Sequence, residues 1–334
     1  MWLYSLLAAD YEGAGLLPHF LDHYIKLGIK RDHMLLIVNH NPSHTDVPHG
    51  SLATLTRILD SYGIDYTHWL GQYSADAHLK LKLQVLQRAP VQDWIIIVDS
   101  DEFHDFGTRT AAEFLQQADA QGANWVKGLF VDRVSLNGSL TAIKPRPSIW
   151  EQYPLSCDIA WRLAHAEPLK VAAFKGYLRS GVGNHGIIPP PMAKIYFGPA
   201  KPGEESARYG LCGAEDLYPY TPYYTYHHLY RMSARQPNPH LWDIVEANTT
   251  IKVHHFKWHR GVERSVRDRL AHYRGDDEQC VAGQPRFKFW RESERLMKAI
   301  TSRGAVDVTS LQLKCHRVDA THKFKGKPAQ QSKP

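Results

Sequence analysis

A chain of 334 residues with 43% hydrophobic and 11% aromatic residues can bury a substantial core, which excludes a disordered protein. Its formal net charge of +6 is mild, and no helix-turn-helix, zinc-finger or RNP-like pattern points to nucleic acid; phosphates or an anionic membrane surface remain open as partners. Four scattered cysteines, Cys157, Cys212, Cys280 and Cys315, form no Cys-x-x-Cys, which argues against a structural zinc site and a dense disulfide framework. Reduced thiols in a cytoplasmic protein are the simplest account, with one or two bridges in a secretory compartment as the other. No segment reaches the ~18 apolar residues of a membrane-spanning helix.

In chain order, residues 2–9 read as a first strand, followed by the acidic loop Asp10-Tyr11-Glu12-Gly13. Leu16, Leu17, Phe20, Leu21, Tyr24, Ile25 and Leu27 recur at helical spacing, with Pro18 near the start and Gly28 at the end. A second strand spans 33–39, a polar loop runs to Gly50, and Leu52, Leu55, Ile58 and Leu59 mark a second helix. A short third strand is expected over 64–67, then a helix with Leu79, Leu83 and Leu86 on one face, ending before Pro90. This alternation predicts right-handed βαβ crossovers and an α/β fold with a mostly parallel sheet flanked by helices.

The fourth strand organises the chain. Trp94-Ile95-Ile96-Ile97-Val98 is apolar on both faces, as a central parallel strand should be, and then Asp99, Asp101 and Glu102 arrive within four residues. Ligands of open α/β sheets bind outside the carboxyl ends of the strands, where these acids fall. On an extended backbone Asp99 and Asp101 share a face, and two hard oxygen donors suit Mg²⁺ or Mn²⁺ held together with substrate phosphates. A bare Asp-x-Asp is also a common solvated strand end. Here three like charges at the mouth of a buried strand call for something positive between them.

Asp99-Ser100-Asp101-Glu102-Phe103 after this strand resembles the Asp-x-Asp-Glu-Phe motif of GT-A-fold glycosyltransferases, the family 2-like and family 92-like (DUF23-type) groups in particular. The resemblance implies a Rossmann-like nucleotide half to about residue 106 and an acceptor half over 107–312, with an irregular insertion at about 187–250. It implies a divalent metal, Mn²⁺ or Mg²⁺, held by Asp99 and Asp101, and a nucleotide-sugar donor, UDP-linked, with a saccharide or other hydroxyl acceptor. Asp10, Glu12, Asn39, Asp46 and Glu102 fall where the family contacts donor. Ser43 and Asp46 read equally well as helix caps or turn formers.

Beyond the acids, Thr110-Ala111-Ala112-Glu113 is a capping box opening a helix to about Ala120. A fifth strand covers 124–133, and Asn137-Gly138 signals a turn that suits a hairpin within 124–144. Val131-Asp132-Arg133 resembles a family segment on the acceptor side, which makes Asp132 the first candidate for general base; a strand-end ion pair with Arg133 is the structural alternative. Lys170–Lys175 reads as a strand, and the glycine-rich loop 181–186 presents His185, which resembles a family loop near substrate. Glu215-Asp216, inside the insertion, resembles an acidic pair of family 2 enzymes and makes Asp216 the second base candidate. His255-Phe256-Lys257-Trp258 resembles a family segment that implies His255 as a metal ligand, with His254 as substitute. Lys257 and Arg260 would face the leaving diphosphate. A basic tail over 313–334 reads as disordered, with peripheral membrane contact open to it. Three other readings compete: a nucleotidyltransferase, which would need a glycine-rich basic loop where the acidic Asp10-Tyr11-Glu12-Gly13 stands, a non-catalytic carbohydrate- or nucleotide-binding relative, and a metal-dependent hydrolase.

Overall fold

The computed structural model describes residues 1–10, 13–43, 51–159, 169–180, 182–184, 186–188, 246–273, 293–300, 304–306 and 315–317. The first half alternates as expected: β1 (Trp2–Ala8), α1 (Gly13–Lys26), β2 (Met34–His40), α2 (Ser51–Tyr62), β3 (Tyr66–Leu70), α3 (Ala75–Leu86) and β4 (Trp94–Asp99). The second half comprises β5 (Glu102–Asp105), α4 (Ala111–Ala120), β6 (Trp125–Val134), α5 (Ile149–Gln152), β7 (Leu155–Cys157), β8 (Leu169–Lys175), β9 (Arg179–Ser180), β10 (Ile187–Ile188), β11 (Ile251–His255), α6 (Gly261–Tyr273) and β12 (Cys315–Arg317).

One sheet runs β12-β7-β6-β8-β4-β1-β2-β3, with β11 paired to β5 and β6. The fold is α/β, and its parallel core is β3-β2-β1-β4. Beyond β4 the pairings β4–β8, β8–β6, β6–β7 and β7–β12 are antiparallel, while β11 lies parallel to β6 and antiparallel to β5.

The period of two along each strand divides the core. Leu3, Leu7, Leu36, Val38, Ile96 and Val98 pack with Leu17, Phe20, Tyr24 and Leu59 from α1 and α2, whereas Tyr4, Leu35, Ile37, Ile95 and Ile97 pack with Val85 and Leu86 of α3. Runs buried on both faces therefore become central strands, and the helices supply the two covers. Gly128 lets β11 close against β6, because a Cβ there would sit 2.4 Å from Val253 Cγ2.

Several expectations shift. The third strand lies at Tyr66–Leu70 rather than 64–67, and the acid motif continues into a strand of its own, β5. The Asn137-Gly138 turn forms, with Gly138 N–H donating to Ser135 O, but no hairpin strand returns along β6 from it; β6 pairs instead with β7 and β8. The tail expected to be disordered from 313 opens with β12, and Cys315, read as a reduced thiol, is disulfide-bonded to Cys157. The physical reason is register: β12 pairs antiparallel with β7 so that the two cysteines lie directly opposite. Cys212, Cys280, residues 189–245 of the insertion and most of the tail lie outside the described residues. Among the described residues no helix is long and apolar enough to cross a membrane.

Candidate functional site

The carboxyl ends of β1, β2, β3 and β4 line one edge of the parallel core, and the residues expected to contact donor are found there in two different states. Asp10 is 4% exposed; its Oδ1 meets His40 Nδ1 at 2.6 Å and its Oδ2 accepts from Asn41 N–H at 2.9 Å. Asn39 is buried and donates through Nδ2 to Trp69 O and Gly71 O, both at 3.1 Å. These side chains brace the loops after β1, β2 and β3. Glu12, Asp46, His185 and Asp216 lie outside the described residues.

The acid cluster is more open, and it is split. The expectation that Asp99 and Asp101 share a face of one extended strand does not hold, because the chain turns at Ser100–Asp101 between β4 and β5. Asp99 pairs with Lys170 of β8, Oδ2 to Nζ 2.6 Å, and Asp101 faces His255 of β11, Oδ2 to Nε2 3.4 Å. The turn is tied to β11 where Phe256 N–H donates to Asp101 O at 2.7 Å.

Lys170 is the residue that sequence reasoning passed over. It is 5% exposed and lies 2.6 Å from both Asp99 and Glu102. A lysine placed directly before the apolar run Val171-Ala172-Ala173-Phe174 was the available signal. It supplies the positive charge that three clustered acids require. Burial alone would lower its pKa, but Asp99 and Glu102 raise it above the usual lysine range. Glu102, 1% exposed, accepts Asp99 N–H through Oε2; burial first and then Asp99 push its pKa up to about 7 against the pull of Lys170. Asp99 is held below the usual carboxylate range, burial being outweighed by Lys170.

A second buried lysine, Lys82 of α3, donates to Ser180 Oγ at 2.7 Å and Asn184 Oδ1 at 2.8 Å, and Asn184 Nδ2 lies 3.5 Å from Asp99 Oδ1. Burial lowers the Lys82 pKa to about 7. Neither Lys82 nor Asn184 carried a sequence signal, since a lysine on a helix reads as solvated.

His255 has two carboxylate neighbours. Its Nδ1 is 3.0 Å from Asp132 Oδ1, which also accepts the Trp258 indole N–H at 3.0 Å. With Nδ1–H donated to Asp132, Nε2 carries a lone pair toward Asp101, the arrangement of a metal-binding imidazole backed by a carboxylate. The two acids also favour the protonated ring: burial works against the charge, yet Asp101 and Asp132 push its pKa up to about 10. Asp101 is correspondingly held below the usual carboxylate range, burial being outweighed by His255. The neighbouring His254 points to the opposite face of β11, where its Nε2 lies 3.5 Å from Asp105 Oδ2 inside the core.

Asp132, expected as general base, is 2% exposed and committed to His255 and Trp258. Its strand neighbour Arg133 turns away, donating to Tyr153 O and lying over the Trp150 and Phe256 rings, so the two form no ion pair. Lys257 is close enough to Asp101 to lower its pKa, and Arg260 is exposed ahead of α6.

Among the described residues no three His, Cys, Asp or Glu side chains converge as a metal-holding group. The expected set of Asp99, Asp101 and His255 is therefore reduced, with Asp99 turned to Lys170, to the facing pair Asp101 and His255. That pair fits Mn²⁺ or Mg²⁺ chemically, because such ions take one or two carboxylates and draw further oxygens from substrate phosphates and water.

No protein-family model matches the chain, and no curated protein does. Three solved structures illustrate its likenesses. The mannosyltransferase PcManGT from Pyrobaculum calidifontis, in complex with GDP-Man and Mn²⁺, is 13% identical over 88% of this chain and 69% of its own, with a TM-score of 0.33. UDP-glucose pyrophosphorylase complexed with UDP-glucose is 9% identical over 77% of this chain and 90% of its own, with a TM-score of 0.26. A Bacillus anthracis protein assigned as a glucose-1-phosphate thymidylyltransferase, in complex with a sucrose, is 12% identical over 45% of this chain, with a TM-score of 0.24; the match spans 62% of that protein, less than two thirds of its length.

Proposed function

We propose that the protein is a divalent-metal-dependent glycosyltransferase that moves a sugar from a UDP-linked donor to a hydroxyl acceptor with inversion. The observation that carries the reading is the convergence of Asp101, from the turn after the central parallel strand, with His255, whose other nitrogen is engaged by buried Asp132. Asp101 and His255 would hold the ion. When bound, Mn²⁺ or Mg²⁺ offsets the charge that develops on the departing nucleoside diphosphate.

The chain's own residues do the rest. Asp132 and Trp258 hold the His255 ring in one orientation and tautomer, so Asp132 acts here as an orienting group rather than a base. Lys170 offsets part of the charge of Asp99 and Glu102, which would otherwise repel a diphosphate at the strand ends. Lys257 and Arg260 add positive charge on the side where the nucleotide leaves.

Calorimetry with UDP and with GDP, each in Mn²⁺ and in EDTA, tests the reading on the wild type and on Asp101→Ala. The expected result is UDP binding that needs Mn²⁺ and is lost in the variant. Failure of either nucleotide to bind under any condition overturns it.

A further inference from the structure

One row of residues crosses five neighbouring strands of the sheet. Glu102 on β5 lies opposite His255 on β11, His255 opposite Asp132 on β6, Asp132 opposite Cys157 on β7, and Cys157 opposite Cys315 on β12. Residues directly opposite in paired strands project to the same face. The disulfide therefore stands one strand away from the carboxylate that orients His255, on the same side of the sheet. A second link runs through packing. Trp258, which donates its indole N–H to Asp132, is 1% exposed and belongs to the apolar cluster that contains Cys157 and has Cys315 packed against it.

The strands that carry the bond are weak without it. β7 and β12 are three residues each, and among the described residues β12 ends its side of the sheet. So short an edge strand has little independent stability and opens first. Cys157 is 5% exposed, while Cys315 is half-buried, which makes Cys315 the more accessible residue of the pair.

We propose that the Cys157–Cys315 disulfide is a positioning element for His255, and that the Asp101–His255 pair binds a divalent cation tightly only while this bond is closed. The inference rests on the metal-site reading above. Opening the bond takes two electrons and two protons from a dithiol, which becomes its own disulfide, and leaves two cysteine thiols. β12 then frays from β7, the outer side of β6 loses its support, and Asp132 and Trp258 no longer hold the imidazole in one orientation. Loss of such a supporting contact weakens metal binding by about tenfold or more.

The test uses the full chain, oxidised, dithiol-reduced with its thiols blocked, and as the Cys157→Ala/Cys315→Ala double variant. MnCl₂ alone is titrated by calorimetry, with Asp101→Ala identifying the site, and hydrogen exchange of the Trp258 indole N–H is followed by NMR without metal. The expected result is about tenfold weaker Mn²⁺ binding and faster Trp258 exchange in both opened forms, with the amides of β1 and β2 keeping their protection. Unchanged Mn²⁺ affinity on opening the bond overturns the proposal, and so does loss of protection spread equally into β1 and β2. If Mn²⁺ binds to neither form, the metal-site reading fails, and the Trp258 exchange decides the positioning role by itself.

Discussion

The parallel core and the antiparallel side of the sheet make opposite uses of their side chains. In the parallel core β3-β2-β1-β4 a helix joins each strand to the one that follows it in sequence, and the interior is mainly aliphatic and aromatic. Its polar residues at the strand ends, Asp10 and Asn39, brace loops. On the other side, β5, β6, β8 and β11 bury Glu102, Asp105, Asp132, Lys170 and His254, and polar groups pair across strands, Lys170 with Glu102, Asp132 with His255 and His254 with Asp105. Hydrophobic pattern builds the first region, and long-range charge pairing builds the second. A candidate site lies where the two meet, at the end of β4.

Substitutions on each side should separate the two roles. The largest expected effect is from Lys170→Ala, which strands Glu102, 1% exposed, without its cation. Removing one partner of a buried pair costs about 4 kcal/mol, and adding Glu102→Gln should recover part of it. Urea unfolding measures both, and a loss below about 1 kcal/mol would break the contrast drawn here. Leu36→Ala, in the middle of β2 and 1% exposed, should cost about 3 kcal/mol through a cavity while leaving Mn²⁺ affinity unchanged in calorimetry. A change in Mn²⁺ affinity would show that the core tunes the site after all.

The smallest effect concerns pH. Burial lowers the pKa of His104 from 6.5 to about 3. Above pH 6.5 both folded and unfolded chains keep this ring neutral, so its contribution to stability is whole. Below 6.5 the unfolded chain takes up a proton that the folded one refuses, and stability falls until about pH 3. At pH 5 the loss from this one ring is about 2 kcal/mol. Urea unfolding at pH 7 and pH 5 should therefore show a pH dependence about 2 kcal/mol smaller in His104→Gln than in the wild type. Equal dependence would place the acid sensitivity elsewhere.

How much of this was legible follows the same division. β1, β2 and β4 announce themselves by apolar runs and α1 and α2 by spacing, since parallel strands between helices are built from local signals, whereas β3 has no apolar run and α3 buries His78 and Lys82 rather than Leu79 and Leu83. β5 escaped notice because Glu102-Phe103-His104-Asp105 reads as an acidic turn, although all four residues are buried. The Asp-x-Asp motif was visible, but its division between Lys170 and His255 was not, because each partner comes from a distant strand. Lys170 is 71 residues from Asp99, and Cys315 is 158 from Cys157. Separations of that size leave no trace in periodicity. The His254-His255 pair was visible as a pair, and the alternation of β11 then sends one ring into the core and the other toward Asp101.

The position of β11 also bears on the order of events during synthesis. Residues 1–99 contain every strand and crossover of the parallel core, so that unit can assemble as it leaves the ribosome. β6, β7 and β8 are made soon after, yet β11, which pairs with β6, and β12, which pairs with β7, wait for residues 251–255 and 315–317. A ribosome-bound chain halted before residue 251 would carry the parallel core with no imidazole opposite Asp101. The order of translation thus makes the Asp101–His255 pair one of the last features to appear on a nascent chain.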